Sequence, residues 1–189
     1  MNYQKILSLL AAVLLGATLA ACAGGKTKVE SDLAIEDAPD WVNEGYQALD
    51  NREGRMVHGV GSAPKMTDFS LQRSTADDRA RAEVARVLST FMDVVANDYI
   101  ATAGYDDATI DEQAISRQIE AVTRLNMSGT EIIARWRNEN DQSIYSLAEL
   151  DMKRVEQIVR KANVMNEGFQ SHLLSKGETL FDRMVEEKQ

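Results

Sequence analysis

One stripe constrains this chain more than any other feature. Ala76, Ala80, Val84, Val87, Leu88, Phe91, Val94, Val95 and Tyr99 recur at three- and four-residue steps. Asp77, Asp78, Arg81, Glu83, Arg86, Asp93 and Asn97 fill the positions between them. That period belongs to an amphipathic helix with one buried side. Thr67 or Asp68 is placed to cap its start and Gly104 to stop it. The stripe is graded, with alanines first and large residues later. Its first half can lie close against a neighbouring backbone, and its second half needs a thicker core.

Residues 55–63 supply that neighbour. They alternate, with Val57, Gly59 and Gly61 on one face and Met56, His58 and Val60 on the other. Two glycines on one face of a strand mark a place where another element approaches closely. The spacing predicts that Ala76 and Ala80 face Gly59 and Gly61. A phosphate-binding loop does not fit here, because the third glycine is missing and residues 64–68 separate the pair from the helix.

The rest of the chain completes one layer on another. Ile110, Ala114, Ile115, Ile119, Val122 and Leu125 predict a second helix, with Asp111 and Glu112 in its first turn where the dipole favours acids. Gly129 ends it. Residues 130–137 and 144–150 alternate on either side of turn-forming residues 138–143, which predicts an antiparallel hairpin. In its first strand Ile132, Ala134 and Trp136 oppose Ile133, Arg135 and Arg137. Asp151 then caps a helix carrying Val155, Ile158, Val159, Ala162 and Met165. The expected fold is α+β: a small three-stranded, mainly antiparallel sheet with helices on one face, in the order β-α-α-β-β-α, followed by an extended C-terminal helix.

That last helix needs a partner. Phe169, Leu173, Leu180, Phe181 and Met184 prolong the apolar spacing, interrupted by Gly168 and Gly177. A helix-interior glycine costs about 1 kcal/mol relative to alanine. Such a stripe can fold back on its own domain or pack on a neighbouring subunit. Crowding of tethered copies on one membrane favours the second, so residues 165–184 are expected to be an oligomerisation helix.

The N-terminus says where such copies reside. A short start containing Lys5 leads into an apolar run, residues 6–15, and closes on Leu19-Ala20-Ala21-Cys22. The run is brief for a bilayer span, and small residues precede a cut site, as in a secretory signal. The only cysteine follows immediately. Leu19, Ala20, Ala21 and Cys22 therefore resemble a bacterial lipobox, cut before Cys22, whose thiol takes diacylglycerol and whose acyl chains include palmitate. The expected organisation is a signal peptide (1–21), a flexible tether (22–38), an α+β domain (39–165) and a C-terminal helical extension (166–189). The tether, with Gly24-Gly25 and few apolar residues, spans up to roughly 50 Å at full extension. Trp41 is expected to pack on the domain edge.

Charge and chemistry narrow the function. The chain carries −9; loss of residues 1–21 removes one lysine and no acid, giving −10. Nucleic acid and polybasic membrane contacts need clustered Lys and Arg, so neither fits an acidic chain, and attachment to a membrane rests on the lipid. No H-E-x-x-H or paired-cysteine spacing is present, so no metal or cofactor is expected. His58 and His172 are far apart in sequence, and Ser62 lies about 13 Å along the strand from His58, beyond hydrogen-bond reach. No catalytic residue or small-molecule substrate is expected. Asp77 and Asp78 read as helix-surface partners of Arg81. Alternation makes Trp136 a core residue under an exposed edge of Arg135 and Arg137.

Several stretches together are similar to one family. They are the lipobox, Pro39-Asp40-Trp41, Val57-His58-Gly59-Val60-Gly61-Ser62-Ala63, Ala76-Asp77-Asp78-Arg79-Ala80-Arg81-Ala82-Glu83-Val84-Ala85, and Ile132-Ile133-Ala134-Arg135-Trp136 with Tyr145-Ser146-Leu147-Ala148-Glu149-Leu150. This pattern resembles the Lpp-twenty (LPP-twenty-like) lipoprotein family, which includes outer-membrane antigens and the flagellar lipoprotein FlgP. The resemblance covers residues 39–162 in addition to the lipobox. It implies a non-catalytic cell-envelope lipoprotein, held in the outer membrane and facing the periplasm. Its flagellar members imply a structural or assembly role in the basal body, with protein partners or a homo-oligomer. Ala23 stands where an inner-membrane retention signal of such lipoproteins has aspartate. The alternative is a binding lipoprotein that recruits or regulates a cell-envelope enzyme or binds cell-wall glycan.

Overall fold

The computed structural model describes residues 34–45, 49, 56–103, 111–163 and 165–186. The elements are α1 (Asp40–Asn43), β1 (Met56–Ala63), α2 (Phe69–Ala103), α3 (Glu112–Met127), β2 (Glu131–Arg137), β3 (Ile144–Asp151), α4 (Met152–Lys161) and α5 (Glu167–Glu186). The fold is α+β, with a three-stranded antiparallel sheet in the order β1-β3-β2 and helices on one face. Gly104 and Ile110 fall outside the described residues.

The Asp68 carboxylate, rather than Thr67, caps α2 by accepting from the Ser70 and Leu71 amides at 2.8 and 3.1 Å. The helix then runs antiparallel to β1 in backbone contact with it. A Cβ on Gly61 would sit 2.6 Å from the Ala76 carbonyl oxygen and closer still to the Ala80 nitrogen. One on Gly59 would sit 2.7 Å from the Val84 nitrogen. Ala76, Ala80 and Val84 are fully buried there, as the glycine pair predicts.

Beyond Val84 the stripe enters the main core. Leu88, Phe91, Met92 and Val95 pack with Ile115, Ile119 and Val122 of α3 and with Met152, Val155 and Val159 of α4. The phase differs from expectation at two places. Val94 is partly exposed while Met92 is buried, and Leu125 is 51 % exposed while Asn126 is buried. Each shift swaps a residue for its neighbour one or two positions away on the same helix.

The C-terminal stripe is buried within its own chain. The α5 helix lies antiparallel along α2: Phe181 meets Phe91 edge to face at 5.3 Å between ring centroids, and Phe169 meets Tyr99 at 5.8 Å. Phe169, Leu173, Leu180, Phe181 and Met184 all belong to the main core. Of the two packings the spacing allows, the stripe takes the first, folding back on its own domain. Trp41, in α1, is half-buried.

The hairpin departs from simple alternation. Pairing with β3 slips by one residue between Ile132 and Ala134, so Ile133 bulges outward at 46 % exposure. Residues directly opposite one another share a face. Gly61, Ser146 and Arg135 therefore line up on the helix side, and Ser62, Tyr145 and Trp136 on the other. Trp136 is thus not a core residue under the helices. The bulge carries it to the opposite face, where it meets Tyr145 at 5.7 Å.

Candidate functional site

Leu19, Ala20, Ala21 and Cys22 lie outside the described residues. Within the domain, three side-chain arrangements stand out, and sequence reasoning missed the first.

Asp77 follows Ala76 on α2 and turns toward the sheet rather than toward Arg81. Its Oδ1 accepts from Arg135 Nε and from Ser146 Oγ, both at 2.7 Å, and its Oδ2 accepts from Arg135 Nη2 at 2.7 Å. Burial alone would raise the Asp77 carboxyl. The hydrogen bonds from Arg135 and Ser146, with the charges of Arg135 and Arg81, outweigh burial and hold it below its ordinary range. Such a carboxylate is a weak proton acceptor, and three donors already occupy it. Its geometry suits a clamp: the fork ties edge strand β2 to the central strand and to the long helix. Asp78 keeps the surface partnership with Arg81, at 3.3 Å. The clue in the sequence was Ser146, a small polar residue in the inward set of a strand; its partner across the sheet required the bulge.

Both histidines are paired with carboxylates. On the sheet face away from the helices, His58 Nε2 lies 2.8 Å from Glu149 Oε2, its direct cross-strand partner. His172 Nε2 lies 2.8 Å from Asp98 Oδ2 and bridges α5 to α2. Ser62 shares the strand face with His58 but pairs across to Tyr145. Among the described residues, no three His, Cys, Asp or Glu side chains gather as a metal site.

The third arrangement is a small notch of about 30 Å³ between α4 and α5. Phe91, Val155, Val159, Leu173 and Phe181 form its apolar walls, and Gly177 lies among them. Its charged lining residues are all acids: Glu156 from α4, and Glu178 and Asp182 from α5. The helical spacing of residues 155–159 and 173–181 was legible, but their meeting as two walls was not.

No family model matches this chain, and no curated protein matches it.

Proposed function

We propose that this chain is a non-catalytic envelope lipoprotein, anchored in the outer membrane through acylated Cys22, with a structural or assembly role on the periplasmic side. The observation that carries the reading is Leu19-Ala20-Ala21-Cys22, the only cysteine of the chain, directly after a short positive and apolar leader. Several acyl chains, at about 0.8 kcal/mol per buried methylene, make such an anchor stable where one chain does not. The resemblance to the Lpp-twenty family supports the outer membrane as the location and offers the flagellar basal body as one setting. The ionisable clusters of the domain support a non-catalytic role, because Asp77, His58 and His172 each hold elements together.

The test is growth with radiolabelled palmitate. The wild-type chain is expected to take up label and sediment with membranes, and Cys22→Ser to take up no label and to be either soluble or uncut. Absence of label in the wild-type chain refutes the anchor.

A further inference from the structure

We infer that the outer face of α4 is a docking surface for anionic phospholipid headgroups, which lays the domain on a membrane with that helix against the bilayer. The inference rests on the anchored reading above for its setting and adds an orientation to it.

Net charge hides this face. The chain carries −9, yet α4 holds Lys153, Arg154, Arg160 and Lys161 against one acid, Glu156, a balance of +3, so the rest of the chain sums to −12. Residues 153, 154, 157, 160 and 161 recur on one side of a helix, and all five are exposed. Met152, Val155 and Val159 are buried on the other side. Four cations on the free side of an amphipathic helix are the pattern that binds anionic lipid.

The needs of the helix itself explain only half of these cations. Arg160 and Lys161 stand in the last turn, where the dipole favours positive charge. Lys153 and Arg154 stand in the first turn, where it opposes positive charge. The stem of Arg154 lies along Gly129, where a Cβ would sit 2.6 Å from its Cδ and nearer still to its Nε. Arg154, Arg160 and Lys161 make no hydrogen bond or ion pair among the described residues. Leu125, 51 % exposed, lies one turn before Gly129 and sets an apolar group beside the cations.

Shape and charge choose the occupant. A helix face is convex and suits a plane rather than a groove. The −12 carried elsewhere is repelled by an anionic plane, so the α4 side is the one that approaches it. An isologous contact with a second copy would instead set the four cations against themselves. A tether of up to roughly 50 Å keeps the face within reach of the bilayer that holds Cys22.

The test uses the full chain carrying Cys22→Ser and one nitrobenzoxadiazole dye, attached either at Gln157→Cys, in the middle of the face, or at Ser74→Cys. Ser74 is exposed toward the Ala63 end of β1, whereas α4 starts at the Met56 end. Phosphatidylcholine vesicles containing about 30 mol % phosphatidylglycerol are expected to brighten and blue-shift the dye at 157 but not at 74, and phosphatidylcholine alone to do neither. About 0.5 M sodium chloride is expected to abolish the response. Each cation near such a surface is worth about fivefold in partition, so Arg160→Gln with Lys161→Gln should raise the half-saturating lipid about 25-fold. Lys65→Gln with Arg73→Gln removes the same charge near the Ser74 end and is expected to change the half-saturating lipid less than twofold, or about that. The proposal is overturned if phosphatidylglycerol gives no response at 157, if phosphatidylcholine alone or the dye at 74 responds equally, or if the two double variants weaken binding alike. It is also overturned if protein concentration without lipid gives the response at 157, which would make a second copy the occupant. No acylated cysteine enters this assay, and palmitate labelling reads the anchor alone, so the two readings fall separately.

Discussion

Replacing Gly61 by alanine tests the contact on which the domain is built. The new methyl group would lie 2.6 Å from both the Ala76 carbonyl oxygen and the Arg79 carbonyl carbon, and nearer still to the Ala80 nitrogen. An ordinary carbon contact needs about 3.5–4.0 Å, so α2 must retreat by roughly 1 Å. None of the struck atoms is a flexible side-chain end; all are helix backbone. A retreat also draws Asp77 away from Arg135 and Ser146, whose bonds are 2.7 Å long. Overpacking of this kind costs about 1–3 kcal/mol, and the strained clamp places Gly61→Ala at the upper end. The lower entropy of the unfolded chain returns only about 0.4–1 kcal/mol. The expected net loss is about 2–3 kcal/mol, read as a lower urea midpoint at unchanged slope. A loss below about 0.5 kcal/mol would mean that helix and strand are not in backbone contact, and the close-packing reasoning would be refuted.

The same substitution at Gly177 should have the opposite sign: alanine there gains helix propensity, meets Phe91 at an ordinary 3.6 Å and needs only the terminal methyl of Leu173, at 3.3 Å, to give slightly, raising stability by up to about 1 kcal/mol in the same urea assay. Asp77→Asn breaks the charged clamp, with an expected cost of about 2 kcal/mol at neutral pH. Because folding lowers the Asp77 carboxyl, its contribution is complete above the unfolded value of about 3.9 and is lost as pH falls through the lower folded one. The gap between wild type and Asp77→Asn should therefore close in acid; a gap independent of pH down to strong acid counts against the ion pair. Asn126 is fully buried, its amide donating to the Val122 carbonyl at 2.8 Å while its Oδ1 has no partner among the described residues. Asn126→Leu is expected to stabilise by about 1 kcal/mol, measured as a rise in melting temperature; a fall would show that the oxygen is satisfied.

Much of this fold was readable because its signals are local. The period of Ala76 to Tyr99, the glycine pair of β1 and the caps Asp68 and Asp151 each act within a few residues. The close approach of α2 to β1 was also legible, since two glycines opposite two alanines leave little else to fill that space. Cys22 and its neighbours are a purely local pattern, and no feature of the domain bears on them. Tertiary structure decided the rest. Arg135 and Trp136 exchanged their expected faces because one unpaired residue, Ile133, resets every side chain beyond it on β2. Asp77 looked like a surface acid until the bulge brought Arg135 beneath it. The stripe of α5 is equally apolar whether it meets α2 or another subunit, and spacing carries no address. Only the chain's own geometry, with Phe181 against Phe91 and Phe169 against Tyr99, settles where that surface is buried. Sequence specifies which surfaces must leave water; the path of the whole chain specifies what they leave it for.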